Sequence, residues 1–332
     1  LMRLRPISDM LNLSLDDLQS AAEIAYRQLL PTPQINWPLL SERCGCELWV
    51  KHENHNLTGA FKVRGGLVYI HRLRQREPDC PGVVTATRGN HGQSVALAAK
   101  INGLSAVIVV PEGNSADKNR AMKALGCELV VHGRDFDESV EHAAELAAER
   151  GLHRMPSFHP DLVAGVASYA MEFFRAQPAM ERVYVPIGLG SGICGMISAR
   201  NALGLDTEVV GVVSTGARCY QKSLAAGACV STDSADTLAD GMAVRVPNAE
   251  ALALMRGNVH DIVAVSDEEI TDAMSWLFND SHNVAEGAGA AALAAVAAQR
   301  DRNLGAIVGA VLSGGNVDAS LYSQVLSAHG DR

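Results

Sequence analysis

Short apolar runs alternate along this chain with stretches whose apolar positions recur at helical spacing. The runs at 47–51, 82–86, 106–110, 128–131, 182–186, 208–213 and 306–312 read as strands. The segments 91–101, 135–150, 267–278 and 287–300 read as helices, as does 62–72, which opens on a lysine. Strand–helix alternation of this kind predicts an α/β fold of parallel sheets covered on both faces, with ligands at the carboxyl ends of strands. The glycine turns fall where such ligands bind.

At 332 residues and 48% hydrophobic composition the chain can bury a large core but exceeds the usual size of one domain, so two domains sharing a cleft are expected. No internal repeat or low-complexity linker separates autonomous halves. A formal net charge of −9, without a basic run interleaved with aromatics, argues against a nucleic-acid partner. No apolar run approaches the roughly 20 residues of a membrane span. The opening Leu1-Met2-Arg3-Leu4-Arg5-Pro6 lacks the apolar stretch of a signal peptide. A soluble cytoplasmic protein with no membrane partner is therefore expected. The seven cysteines are scattered, with one close pair, Cys44 and Cys46, which is neither a zinc spacing nor a disulfide framework. Most read as small buried hydrophobes.

Four distant segments read together as one site. They are Thr58-Gly59-Ala60-Phe61-Lys62-Val63-Arg64-Gly65, Gly89-Asn90-His91, Gly188-Leu189-Gly190-Ser191-Gly192 and Ser313-Gly314-Gly315-Asn316. They supply a lysine among small residues, an Asn-His turn, a glycine-rich anion cradle and a hydroxyl in a glycine turn. Pyridoxal 5′-phosphate needs such a set: an amine for the Schiff base, a nest for the phosphate, and partners for the ring oxygen and nitrogen. Each segment alone also has a plain reading. Lys62 can simply start an amphipathic helix, 188–192 can be a nucleotide loop or a tight turn, and Ser313 can sit in an ordinary turn.

The order and spacing of these motifs resemble the β-family, or fold type II, pyridoxal-phosphate enzymes over nearly the whole chain, within them the serine/threonine dehydratase and serine racemase group. The resemblance implies a smaller domain at 52–155 inserted in a larger one made of 1–51 and 156–332, with the active site between them, and a homodimer as the assembly. The chain ends soon after the Ser-Gly-Gly-Asn turn, which resembles the short catabolic threonine dehydratases. Lys62 is implied as the Schiff-base lysine and the base at Cα, with Phe61 beside the cofactor. Gly188, Leu189, Gly190, Ser191 and Gly192 hold its phosphate, Asn90 meets the ring oxygen, and Ser313 meets the ring nitrogen. Thr87, Arg88, Gly89, Asn90 and His91 form the substrate-carboxylate turn at a helix N-terminus. His91 reads as a structural histidine more readily than as a base. Glu286 matches a glutamate near the ring, or equally serves a helix dipole.

Two departures stand out. Serine racemases carry a serine where this chain has Arg88, and an arginine held charged cannot shuttle that proton, so racemisation should be poor unless Arg88 merely faces solvent. Relatives often hold a divalent cation through a glutamate and an aspartate; Val212 and Arg218 stand in their places, so no metal is expected. Arg218 supplies a fixed positive charge or lies exposed. The activity implied is dehydration of a β-hydroxy-α-amino acid such as L-threonine or L-serine to a 2-oxo acid and ammonia. The alternatives are 3-hydroxyaspartate or phenylserine as substrate, a racemase, or a non-enzymatic binding regulator.

Overall fold

The computed structural model describes residues 11–329; the opening segment read above for a signal peptide lies outside them. The strands are β1 (Gln34–Asn36), β2 (Glu47–His52), β3 (Gly82–Ala86), β4 (Ser105–Val110), β5 (Glu128–Val131), β6 (His153–Arg154), β7 (Arg182–Pro186), β8 (Glu208–Ser214), β9 (Asp261–Val265) and β10 (Ile307–Leu312). The helices begin with α1 (Leu15–Tyr26), α2 (Pro38–Cys44), α3 (Lys62–Arg76), α4 (Asn90–Ile101), α5 (Ala116–Ala124), α6 (Phe136–Arg150) and α7 (Pro160–Ala176). They continue with α8 (Ser191–Ala202), α9 (Cys219–Ala226), α10 (Ala249–Met255), α11 (Asp267–Ser281), α12 (Gly287–Ala298), α13 (Arg300–Asn303) and α14 (Ala319–His329).

Six strands form one sheet in the order β1-β2-β10-β7-β8-β9, parallel except for β1, and four form a second, all-parallel sheet in the order β5-β4-β3-β6. Continuous apolar strands belong in such sheets because helices cover both faces; all five residues of β3 are buried. One core packs α7 and α8 on the six-stranded sheet, and another packs α11 and α12 on its opposite face. The four-stranded sheet lies between α3 with α4 on one side and α6 on the other.

Sequence pattern places seven strands correctly but does not single out β1, β6 or β9, nor α7, the longest helix. Helix α7 is buried almost all round, yet Asp161, Ser168, Glu172 and Arg175 recur along it at helical spacing, so the amphipathic signal was present in the sequence. Its start is also encoded: Pro160 occupies the first turn and the His159 side chain accepts from the Asp161 N–H. Helix 287–300 is shorter than read, ending at Ala298 before α13.

Helix α3 is clamped from two sides. At its crossing with α7 a Cβ on Gly65 would lie 2.7 Å from the Leu162 carbonyl oxygen, and one on Gly165 would lie 2.4 Å from that of Arg64, so both positions admit only glycine. Beside this crossing Arg64 is fully buried, with Glu53 at 2.7 Å and Glu172 at 2.6 Å. Lys51, also buried, meets Glu172 at 2.6 Å and donates to the Thr32 carbonyl and the Gln34 side chain. Ser168, Thr32 and Tyr26 complete the network. Burial works against the Arg64 charge, but Glu53 and Glu172 outweigh it and hold the guanidinium protonated.

Two cations and two carboxylates thus balance without water, joining β2, α3 and α7. Removing one member strands the rest. Arg64→Ala is expected to lose about 3–5 kcal/mol of stability, read by chemical denaturation. Exposed Arg134, paired with Glu138 four residues on, provides the control; its loss should leave stability nearly unchanged.

Candidate active site

A cleft of about 700 Å³ opens at the carboxyl ends of β3, β5, β7 and β10, where the two sheets face each other. Phe61 and Lys62, the turn 87–91, the loop 188–192, Glu286 and Ser313 all line it. The four motifs that are far apart in sequence therefore meet in one place.

Lys62 is the first residue of α3, and Phe61 caps the helix. A short antiparallel bridge pairs Ala60 with Gly314: the Phe61 N–H donates to the Ser313 carbonyl at 3.0 Å, and the Gly315 N–H to the Gly59 carbonyl at 2.9 Å. These backbone bonds, with the Asn316 Nδ2 donating to the Thr58 carbonyl at 2.8 Å, hold the lysine turn against the serine turn. The Lys62 amine lies 5.2 Å from the centroid of the Phe61 ring. Burial lowers its pKa to about 8, opposed by Glu286.

Helix α8 starts at Ser191, two residues earlier than its sequence pattern implies. Gly190 caps it at φ 107°, and a Cβ there would lie 2.6 Å from the Ala251 Cβ, so an L side chain is excluded twice over. A Cβ on Gly188 would meet the Gly241 carbonyl oxygen at 2.2 Å. The Leu189 carbonyl accepts from the Tyr220 hydroxyl, which fixes the loop from behind. First-turn N–H groups of a helix have no intrahelical acceptor, and here they open on the cleft, which suits a phosphate dianion.

The 87–91 turn is built by Thr87, whose Oγ1 accepts from the N–H groups of Gly89 and Gly92. The Asn90 Nδ2 donates to Glu286 Oε1 at 2.5 Å, and its Oδ1 accepts from Asn316 Nδ2 at 2.8 Å. Asn90 is therefore held in plane on both sides, with one N–H still free toward the cleft. His91 is buried with Nε2 unpartnered, and burial lowers its pKa to about 3, with Lys62 adding to the effect. It stands in the cleft as a neutral imidazole. The Ser313 Oγ donates to the Ala288 carbonyl at 3.3 Å.

Glu286 caps α12 but makes no side-chain cap bond; its carboxylate instead points into the cleft. Arg88 lines the mouth, half-exposed, 3.8 Å from Asp240. Val212 is buried within β8, and Arg218 is exposed, hydrogen-bonded to Gln221. Among the described residues no group of three or more His, Cys, Asp or Glu side chains is placed to hold a metal ion.

Lys118 and Asp240 also line the cleft and were not found by sequence reasoning. A lysine in the first turn of a helix opposes the helix dipole, and that was the available signal for Lys118.

The depressed Lys62 has a stability consequence in the cofactor-free protein. Between pH 8 and 10.5 the unfolded chain keeps the proton that folded Lys62 has lost, so stability rises with pH across that window. The penalty is fully present below pH 8. Lys62→Met is expected to remove about 3 kcal/mol of this rise, measured as the difference between the two proteins' unfolding free energies along the pH series.

The sequence matches the family of pyridoxal-phosphate dependent enzymes over residues 26–314. An L-threonine ammonia-lyase from Thermotoga maritima is 34% identical, the alignment covering 95% of this chain and 78% of the relative. An L-threo-3-hydroxyaspartate ammonia-lyase from Saccharomyces cerevisiae is 31% identical, over 95% of this chain and 97% of its own. The solved structure of processed threonine deaminase isoform 2 from Solanum lycopersicum superposes with a TM-score of 0.88 at 30% identity, covering 96% of this chain and 94% of that one. No helix among the described residues is long and apolar enough to cross a membrane. The family match spans most of the chain and the relatives align over nearly all of it, so the chain belongs to the pyridoxal-phosphate dependent enzymes.

Proposed function

We propose that the protein is an ammonia-lyase that dehydrates a β-hydroxy-α-amino acid of the L-threonine or L-serine type to a 2-oxo acid and ammonia. The convergence of Lys62, Asn90, the 188–192 loop and Ser313 on one cleft carries this reading. Pyridoxal 5′-phosphate, joined to the Lys62 amine, supplies the electron sink that acidifies the substrate Cα.

The chain's residues do the rest. The loop 188–192 and the start of α8 take the phosphate, and Asn90 offers its free N–H to the ring oxygen. Ser313 gives the ring nitrogen a neutral hydroxyl, which cannot keep it protonated as a carboxylate does. Electron withdrawal is then moderate, and loss of the β-hydroxyl competes well against transamination. Thr87 and the first N–H groups of α4 hold the substrate carboxylate. The Lys62 amine, its pKa lowered to about 8 by burial, would serve as the base for the substrate Cα proton.

Three further parts of the reading accompany it. The four-stranded sheet lies wholly within 82–154 and the six-stranded sheet wholly outside it, which supports a smaller domain at 52–155 set into a larger one. The homodimer and the cytoplasmic location rest on resemblance and composition, and sedimentation equilibrium tests the first.

Lys62→Ala is expected to abolish 2-oxo acid release and the visible absorbance of bound cofactor. A variant that keeps both would overturn the assignment.

Arg88 favours a second substrate reading, because a guanidinium at the cleft mouth suits a β-carboxylate, as in 3-hydroxyaspartate. In that case Arg88→Ala costs the dicarboxylate substrate about 2 kcal/mol in kcat/KM, the low end for a charge pair because Arg88 is half-exposed, and spares neutral substrates. If Arg88 instead only blocks racemisation, Arg88→Ser allows exchange at Cα while dehydration persists. Product chirality and a panel of β-hydroxy amino acids decide between them.

A further inference from the structure

Lys118 is nearly buried, lies at the dipole-opposed end of α5 and has no part in the chemistry described above. Its ammonium stands 3.6 Å from Asp240 and 3.6 Å from Glu286. Asp240 and Glu286 lie outside the stretch that builds the four-stranded sheet, whereas α5 packs with β5 and α4 of that sheet, so the three charges span the cleft. They also form the wall between the main cleft and a second cavity of about 60 Å³. The position is constructed. The Ser115 side chain caps α5 by accepting from the Lys118 N–H, and its hydroxyl donates to Asp318. A Cβ on Gly89 would lie 2.5 Å from the Lys118 Cδ. The missing side chain at Gly89 leaves room for the lysine stem.

We propose that Lys118 is a positioning residue: it holds Glu286 as a carboxylate, and Glu286 in turn fixes the Asn90 amide that faces the cofactor ring. The groups facing Glu286 are Lys62 from α3, Asn90 from α4, Lys118 from α5 and Asp240 from the turn before residue 243. Burial drives Glu286 toward its neutral form; Lys118 and Asn90 oppose this, and Asp240 adds to it. Without the ammonium, the carboxylate takes up a proton at higher pH. A neutral Glu286 is a weaker acceptor for the 2.5 Å bond from Asn90.

The proposal rests on the cofactor reading above, and its test uses the holoenzyme. Two midpoints are measured, that of the acidic limb of kcat/KM and that of the pH-dependent change in the cofactor's visible absorbance without substrate. Lys118→Met is expected to raise both by about 1–3 pH units, the effect of removing an opposite charge at this range. Asp240→Asn is expected to lower them, and Lys118→Arg to restore the wild-type values. In a Glu286→Gln background the shifts from Lys118→Met and Asp240→Asn should vanish. If Lys118→Met does not hold cofactor, Asp240→Asn with and without Glu286→Gln carries the same test in the opposite direction. Unmoved midpoints, shifts that persist without Glu286, or an arginine as damaging as a methionine would overturn the proposal. A wild-type protein that shows no visible band sinks the cofactor reading instead, whereas a normal band with unmoved midpoints sinks the role of Lys118 alone.

Discussion

Arg64 sits two residues beyond the lysine that the chemistry needs, and it is the buried charge around which this part of the molecule is assembled. Its guanidinium is satisfied only if Glu53 follows β2, Glu172 comes round on α7 and α3 lies between them. An error in any of these placements leaves a charge in a dry interior, which costs more than most packing defects. Lys51 makes the cluster neutral, so the arrangement is specified without a net field at the neighbouring site. The close crossing of Gly65 and Gly165 then sets the depth of α3. Lys62 inherits its position from these constraints rather than from contacts of its own, which leaves its amine free of a tight hydrogen bond and open to desolvation.

That desolvation is half of an electrostatic division of labour. Burial pushes Lys62 down and Glu286 up, so both groups that face the reacting centre are drawn toward their neutral forms. Glu286 opposes the Lys62 shift only partly, and Lys118 and Asn90 oppose that of Glu286. The charges at the cleft are thus set by burial, whereas those of the Arg64 cluster behind it are directly paired. Arg64 is held charged by Glu53 and Glu172. Function and stability are assigned to different charges, separated by two residues of α3.

The motifs were legible in the sequence because each performs a backbone task that few residue types can do. Gly190 needs a left-handed conformation, Gly188 needs space against Gly241, and Lys62 opens a helix. The strands were legible for a similar reason, since apolar runs such as β3 and β8 have only one environment that accepts them. Helix α7 escaped although its polar residues Asp161, Ser168, Glu172 and Arg175 mark one stripe; two of them face the buried Arg64 rather than solvent. Lys118 and Asp240 escaped because their importance lies in partners more than a hundred residues away from Lys118 along the chain, which local spacing does not encode. Arg88 shows the same limit within a recognised motif. Its position was read correctly, but the partner that defines its role, Asp240, arrives from a turn with no sequence signature.

The site is therefore divided between two sheets by type of work. The cradle around β7 and β10 is made of backbone: helix N–H groups, glycine turns and a two-stranded bridge, all rigid and independent of charge state. The side around β3 and α5 contributes the carboxylate turn and the cations Arg88 and Lys118, whose nearest partners lie across the cleft at 3.6–3.8 Å. Distances of that length mark ion pairs that are attracted but not locked by hydrogen bonds. A cofactor that must stay bound through many turnovers suits the first kind of surface, and a substrate that must enter and leave suits the second. Differences in substrate among enzymes of this architecture should then concentrate in the loosely paired charges, while the glycine cradle stays constant.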